Sequence, residues 1–355
     1  MTDTETAAPP AESAPPVRFR DEQIEMSHGA GGKASRRLVE GLVTPLLHNP
    51  TLAALGDAAA LSLGGATLAM TADSFVVSPL RFPGGSIGEL AVHGTVNDLA
   101  VAGARPHALV CTLVLEAGLE TAVLRAELEA MGGAARAAGV EVVGGDTKVV
   151  EHGKADGMYV TTAGLGLRDD RLALSATSVR PGDRVLLSGP IGDHGITILL
   201  ARGELDLEAD LASDTRPVWP FVDALADAVG PHVRWMRDPT RGGVASALNE
   251  LARDTGLGVV LEEDAIPVRG PVRGACEILG LDPLHIANEG QFLAVVAAEH
   301  ADAALAAVQS VPGGAEAALV GEVRAEPART VLTRASYGGT RVVDMLIGDP
   351  LPRIC

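Results

Sequence analysis

From Val17 onward, short apolar runs alternate with longer Ala- and Leu-rich stretches at helical spacing, a pattern that predicts α/β layers and not a helical bundle. The run Thr67–Thr71 (TLAMT) predicts a strand ending in Ala72 and Asp73, and Leu109–Leu115 (LVCTLVL) is continuous enough for a fully buried one. Between them a helix is predicted to start at Ser86, with Glu89 three residues on at capping-box spacing. Leu90, Val96, Leu99 and Ala100 would form its buried face, and His93, Asn97 and Asp98 its polar one. A second helix is predicted from Glu120 to Ala138, stopped by Gly139. The strand VEVV and a turn at Gly144-Gly145-Asp146 follow, then a strand over Met158–Leu167.

The charged stretch Arg168–Arg184 contains Pro181-Gly182 and precedes a new strand at Val185–Leu187, so the domain boundary is placed there, giving domains 17–170 and 171–345. In the second half the pattern predicts a helix from His194, a strand at Val233–Met236 and a helix from Arg241. Further strands are predicted near Val259, Phe292, Val320 and Val342. In the ending GDPLPRIC, Pro350 and Pro352 forbid helix and remove ladder donors, so residues 346–355 are expected to form an extended, mobile tail. Residues 1–16 are acidic and Pro/Ala-rich, lack the basic start and apolar stretch of a signal peptide, and read as a disordered tail.

Composition narrows the function. The 355 residues suit two cores, and 47% hydrophobic against 21% charged residues allow folding without disulfide or metal staples. A net charge of −18 repels nucleic acid and anionic lipid, and 3% aromatics are too few for base-stacking platforms. No uncharged apolar run reaches the roughly 18 residues of a membrane span. Three cysteines, none in a C-x-x-C pair, fit neither a disulfide framework nor a zinc site, so a reducing, cytoplasmic setting is expected. Any phosphate ligand of so acidic a chain needs cations.

Candidate chemistry begins at Ser27–Ser35 (SHGAGGKAS), a Gly-rich turn opening into a helix. It is neither a P-loop, since Ser27 and Ala34 stand where Gly and Ser/Thr are required, nor a Rossmann turn, since no strand precedes it. Two readings remain open: a flexible surface turn, or a phosphate-covering flap in which Gly31, Gly32 and Lys33 contribute. Asp57 (GDAAAL), Asp73 (TADSF), Asp98 (TVNDLA) and Asp146 (GGDTK) are each explicable as turn formers or caps. As a group they resemble oxygen ligands for Mg²⁺ shared with substrate phosphates, which would let an acidic chain bind a nucleotide triphosphate. In DPTRGG, Asp238 and Pro239 read first as a helix cap and first helical residue, with Thr240 following, and GDHG at Gly192–Gly195 reads likewise as a helix start. Glu289 in NEG is either a turn residue or a positioned base. Prenylation would need a Cys four from the end, where Pro352 stands, so Cys355 instead presents a thiol on a Pro-stiffened arm reaching roughly 25 Å. Cys111 and Cys276 read as buried small hydrophobes.

Taken together, SHGAGGKAS, TADSF, TVNDLAVAGA, GGDTKVV, GDHGI, DPTRGG, NEG and above all PRIC resemble the HypE family of hydrogenase-maturation proteins, carbamoyl dehydratases of the PurM, or AIR synthetase, superfamily. The likeness covers the chain after its first sixteen residues. It implies an α/β (α+β) protein of two PurM-like domains with a mobile C-terminal tail, a homodimer binding ATP near the dimer interface. By the same resemblance Asp57, Asp73, Asp98 and Asp146 would hold Mg²⁺ and phosphates, with Asn97, Asp238 and Thr240 also at the nucleotide. Lys33 would lie over the phosphates and Lys148 near the reacting groups. Cys355 would take a carbamoyl group from the HypF carbamoyltransferase and be dehydrated to a thiocyanate, with Glu289, or else His93, as base. The cyanide would pass to iron on a HypC–HypD complex, for nickel–iron hydrogenase. Thiamine-monophosphate kinase has the same fold but needs no terminal cysteine. Selenophosphate synthetase wants a reactive residue among residues 17–40, where there is no Cys. A scaffold that merely carries the modified thiol is the alternative outside catalysis.

Overall fold

The computed structural model describes residues 17–203, 209–348 and 351–355; the expected tail 1–16 lies outside them. Two short helices, α1 (Lys33–Leu38) and α2 (Thr44–Leu47), lead into the first sheet. Its strands are β1 (Ala59–Leu63), β2 (Ala66–Phe75), β5 (Ala104–Glu116), β6 (Glu141–Val150) and β7 (Met158–Arg168), ordered β1-β2-β7-β5-β6. A two-stranded hairpin of β3 (Arg81–Phe82) and β4 (Gly85–Ser86) stands beside it. Helices α3 (Ile87–Val101) and α4 (Thr121–Ala138) cover one face; the other carries exposed Leu61, Leu63, Met70, Val110, Leu165 and Leu167. The run Leu109–Leu115 is therefore buried on one side only: Leu109 is 1% exposed and Val110 42%.

Local details depart from the sequence pattern for physical reasons. Ser86 is the residue before α3, but its hydroxyl makes no capping bond. The helix has no solvent face at all, because α4, the sheet and the second half enclose it. The double glycine is not a turn: β6 runs straight through it, and a Cβ on Gly145 would lie 1.7 Å from the Cys111 carbonyl oxygen of β5. Glycine at 145 permits that close strand contact.

The second sheet contains β8 (Arg184–Leu187), β9 (Val233–Arg237), β10 (Gly258–Glu262), β11 (Leu293–Val296), β12 (Ala318–Arg324), β13 (Val331–Arg334) and β14 (Thr340–Val343). Their order is β14-β13-β10-β12-β8-β11-β9; β13 had no distinct signal in the sequence pattern. Leu186 and Ala294 face one core and Val185, Leu187 and Val295 another, so helices pack on both sides. On one side lie α6 (Trp219–Val229) and α9 (Ala301–Ser310), on the other α7 (Gly243–Thr255). Helices α5 (Asp193–Ala201) and α8 (Gly270–Leu279) join the two halves: Ile196, Ile198, Val272 and Cys276 share one core cluster with Leu90 of α3 and with Leu351 and Ile354 near the chain end. Among the described residues no helix is long and apolar enough to cross a membrane.

Candidate active site

The site forms where β2, α3 and the loop after β9 converge. Asp73 lies within β2, opposite Thr162 of β7, and thus on the face that packs against α3. Its carboxylate accepts from Thr95 Oγ1 at 3.4 Å, and Thr71 Oγ1 donates to Asp98 at 2.8 Å. Asp238 does not cap a helix, since α7 begins only at Gly243; the intervening loop turns it inward to 8% exposure. Asp57, Asp98 and Asp238 consequently each bring an oxygen within 4.8 Å of the others. Arg237 Nε meets Asp57 at 2.8 Å and its guanidinium also meets Glu250 at 3.1 Å.

Burial first and mutual repulsion second push these carboxyls up. Asp57 rises to about 6 despite Arg237, Asp238 rises to about 8, and Asp98 lies well above its usual value. Asp73 is also raised, chiefly by burial, against a hydrogen bond with Asp98. Such a concentration of hard oxygen donors suits Mg²⁺, which would supply the missing positive charge. The stability consequence has a definite sign. Acids with raised folded-state values stabilise the fold most at low pH, and that stability is lost as they ionise on the way up through about 6 and 8. In chelator, the protein should therefore melt at a lower temperature above pH 8 than below pH 6, with Mg²⁺ closing most of the gap. Asp98→Asn should shrink the Mg²⁺ effect on the melting temperature; an undiminished effect would remove Asp98 from the cation site.

Asp73, Asp98, Asp238, Thr240, Arg241, Glu289, Gly94 and Cys355 line one cavity of about 50 Å³, room for a very small group. Glu289 is 3% exposed and its Oε1 has no hydrogen-bond partner among the described residues. Burial, then the charges of Asp238, Asp214 and Asp73, hold it well above the usual carboxylate range. Its backbone is fixed, the N–H donating to Asp214 at 3.0 Å and the carbonyl accepting from Asn97 at 2.9 Å.

Of the tail expected to be extended and mobile, the described residues 351–355 are docked, and Arg353 takes a left-handed φ of 57°. The N–H of Val76 donates to the Cys355 carbonyl at 2.9 Å, that of Ser78 to Arg353 at 3.3 Å, and Arg353 pairs with Asp156 at 2.5 Å. Leu351 and Ile354 are buried. Docking explains how a thiol so distant in sequence reaches Glu289.

Several expected site residues lie elsewhere. The amides of Lys33 and Ala34 donate to Leu346 and Ile347, and Lys33 Nζ, expected over the phosphates, pairs with Asp344 at 2.5 Å. Gly31 and Gly32 thus back onto Arg241 and Leu346 instead of lining the cavity. Asn97 spends its amide on the carbonyls of Arg216 and Glu289 and on the N–H of Val218, so it ties α3 to the second half. His93 bonds Thr215 at 3.1 Å outside the cavity lining, and burial lowers it to about 4, leaving it uncharged. Asp146 does not join the carboxylates. It sits on β6 opposite Thr112, exposed and paired with Lys148 at 2.7 Å, on the uncovered face of the sheet. Sequence reasoning did not assign Arg237 or Arg241 to the site, although DPTRGG contains the latter; the helix-start reading of that motif hid both.

The fold matches known proteins. Models of AIR synthase related proteins match this chain, the N-terminal domain at residues 55–168 and the C-terminal domain at 180–333. The carbamoyl dehydratase HypE of Azotobacter vinelandii is 52% identical over 337 residues, covering 95% of this chain and 98% of its own. That of Escherichia coli strain K12 is 44% identical, covering 94% and 99%. Among solved structures, a HypE–HypF complex superposes with a TM-score of 0.83 at 40% identity over 87% of this chain and 99% of that one. HypE in complex with ATP gives 0.78 at 46% over 93% and 99%. Thiamine monophosphate kinase from Aquifex aeolicus, 19% identical with a TM-score of 0.59, shares the fold. At 44–52% identity over nearly the whole of both chains, the chain belongs to the HypE family of carbamoyl dehydratases, built from AIR synthase related domains.

Proposed function

We propose that this protein uses ATP to dehydrate an S-carbamoyl group on its own Cys355 to a thiocyanate. The observation that carries this reading is the position of Cys355 in one cavity with Asp73, Asp98, Asp238 and Glu289. A thiocarbamate cannot expel its oxygen as oxide or hydroxide at neutral pH. The oxygen must first take the γ-phosphoryl group, which calls for alignment and charge neutralisation more than covalent work by the protein. Asp57, Asp98 and Asp238 would hold Mg²⁺, whose chemistry here is to neutralise phosphate charge. One nitrogen proton leaves as the oxygen takes the phosphoryl group and ADP departs, giving a C=NH carbon that bears the phosphoryl ester. Glu289 then accepts the remaining nitrogen proton while the C–O bond breaks toward phosphate and the carbon–nitrogen triple bond forms. Burial is the main cause of the raised Glu289, and neutralising Asp238 and Asp73 removes two of the charges that add to it. The buried walls around Glu289 exclude the water that would hydrolyse the activated group.

A homodimer completes the arrangement. The uncovered sheet face carries Leu61, Leu63, Met70, Val110, Leu165 and Leu167, with Met70 directly opposite Leu165, a patch of the kind that marks an interface. Asp146 and Lys148 stand on that same face. We place them at the interface, where a second copy covers the sheet and Lys148 can serve the other protomer's phosphates. Leu165→Glu should halve the solution mass and depress ATP turnover without unfolding the protein; an unchanged mass would remove this face as the interface.

The donor of the carbamoyl group would be a HypF carbamoyltransferase, since a HypE–HypF complex is known for a similar protein. The acceptor of the cyanide would be iron on a HypC–HypD complex, during nickel–iron hydrogenase maturation in the cytoplasm. The direct test is ADP release by the carbamoylated protein alone. The account expects ADP from the loaded chain in the absence of any partner; a scaffold would release none.

A further inference from the structure

We propose that His194 is the positioning residue that registers the docked tail, and that the Gly192–Gly195 motif is the tail's receptacle and not merely a helix start. This rests on the reading above, in which Cys355 works docked. His194 is fully buried at the first turn of α5, with its ring edge-on to Phe82 at 5.7 Å between centroids. Its Nε2 lies 2.7 Å from the carbonyl oxygen of Ile354, the peptide unit immediately before Cys355. A carbonyl only accepts, so Nε2 carries the proton. The opposite nitrogen, Nδ1, meets Ser213 Oγ at 2.8 Å, and that hydroxyl oxygen already accepts from the Thr215 N–H at 3.1 Å. The Ser213 hydroxyl is thereby turned to donate to Nδ1, which fixes the tautomer that the tail requires. Burial also keeps the imidazole neutral.

The rest of the motif makes room. A Cβ on Gly195 would stand 2.6 Å from Ile286 and 3.3 Å from Leu351, so a side chain there would push against the tail's buried leucine. At the far end of α5, Arg202 donates to the carbonyls of Pro352 and Arg353, the latter at 2.8 Å, and to Ser78 at 3.0 Å. One helix therefore holds three successive tail carbonyls. These bonds read backbone, so they set the register of the tail, and hence where the Cys355 sulfur sits, whatever its thiol carries. A tail that must also meet a carbamoyltransferase needs bonds that release as a unit, and hydrogen bonds from one helix to consecutive backbone carbonyls meet that need.

The test follows alkylation of Cys355 by iodoacetamide in the full-length protein, read as mass on the C-terminal peptide, with the buried Cys111 and Cys276 as internal monitors of unfolding. His194→Ala should speed labelling of Cys355 roughly tenfold, the effect of freeing one buried hydrogen bond, with Cys111 and Cys276 unchanged. His194→Gln, whose amide can donate near the position of Nε2, should restore most of the protection. Should His194→Ala expose the other two thiols, Ser213→Ala provides the second arm, with a smaller acceleration expected. Equal Cys355 labelling in the wild type and in each folded variant overturns the proposal. In loaded protein, His194→Ala should lower the single-turnover rate while leaving the KM for ATP unchanged. Labelling that responds while the loaded wild type releases no ADP would leave the latch standing and remove the dehydratase reading.

Discussion

Replacing Glu289 by glutamine is expected to slow ATP-dependent dehydration of the loaded protein by about a hundredfold to ten-thousandfold, the usual span for removing a positioned general base. The substitution keeps the size and the backbone bonds to Asp214 and Asn97, which do not involve the side chain. It also removes a buried carboxyl repelled by Asp238 and Asp73, so the variant should melt at or above the wild-type temperature at neutral pH. The pH profile adds a sharper discriminant. Because Glu289 sits above the normal carboxylate range, the wild-type rate should climb with pH along a limb displaced upward from ordinary glutamate. In Glu289→Gln that limb should vanish. A variant that keeps both the rate and the limb would require another base, and His93, held uncharged by burial and turned toward Thr215, is poorly placed to be it.

Cys355→Ala is expected to abolish every mass increase on the chain after incubation with carbamoyl phosphate, ATP and the transferase, while ATP binding persists. The other thiols cannot substitute: burial raises Cys111, and burial together with Asp282 pushes Cys276 up to about 11, so neither offers an accessible thiolate near pH 7. Retained labelling in Cys355→Ala would place the acceptor elsewhere. The contrast with His194→Ala is informative, because that variant keeps the acceptor and alters only where it rests.

Much of the fold was legible because its elements carry local signals. The helix stopped by Gly139 runs from Thr121 to Ala138, and Gly139 adopts the left-handed conformation that only glycine takes readily. Strands such as Met158–Arg168 follow from their apolar alternation. What the pattern misjudged depends on contacts distant in sequence. Gly144-Gly145 resembles a turn until the Cys111 backbone lies against it, and the polar positions of α3 resemble a solvent face until the second half covers them.

The site divides in the same way. Asp57, Asp73 and Asp98 could be grouped from their glycine- and strand-flanked settings, but Asp238 could not be preferred to Asp146. DPTRGG has a complete helix-start signal, and only the placement of α7 at Gly243 shows that the signal is not used. Lys33, expected over the phosphates, pairs here with Asp344, whose arrival 311 residues later no local motif announces. His194 was visible within GDHGI, yet its partner is a backbone carbonyl of the tail, which carries no sequence signature.

The most direct measurement is the mass of the C-terminal peptide across a single turnover of carbamoylated protein with Mg-ATP and no partner present. The account predicts that the carbamoyl adduct on Cys355 loses the mass of one water as one ADP appears per chain. ATP consumption that leaves the adduct unchanged, or that returns Cys355 to the free thiol, would contradict it.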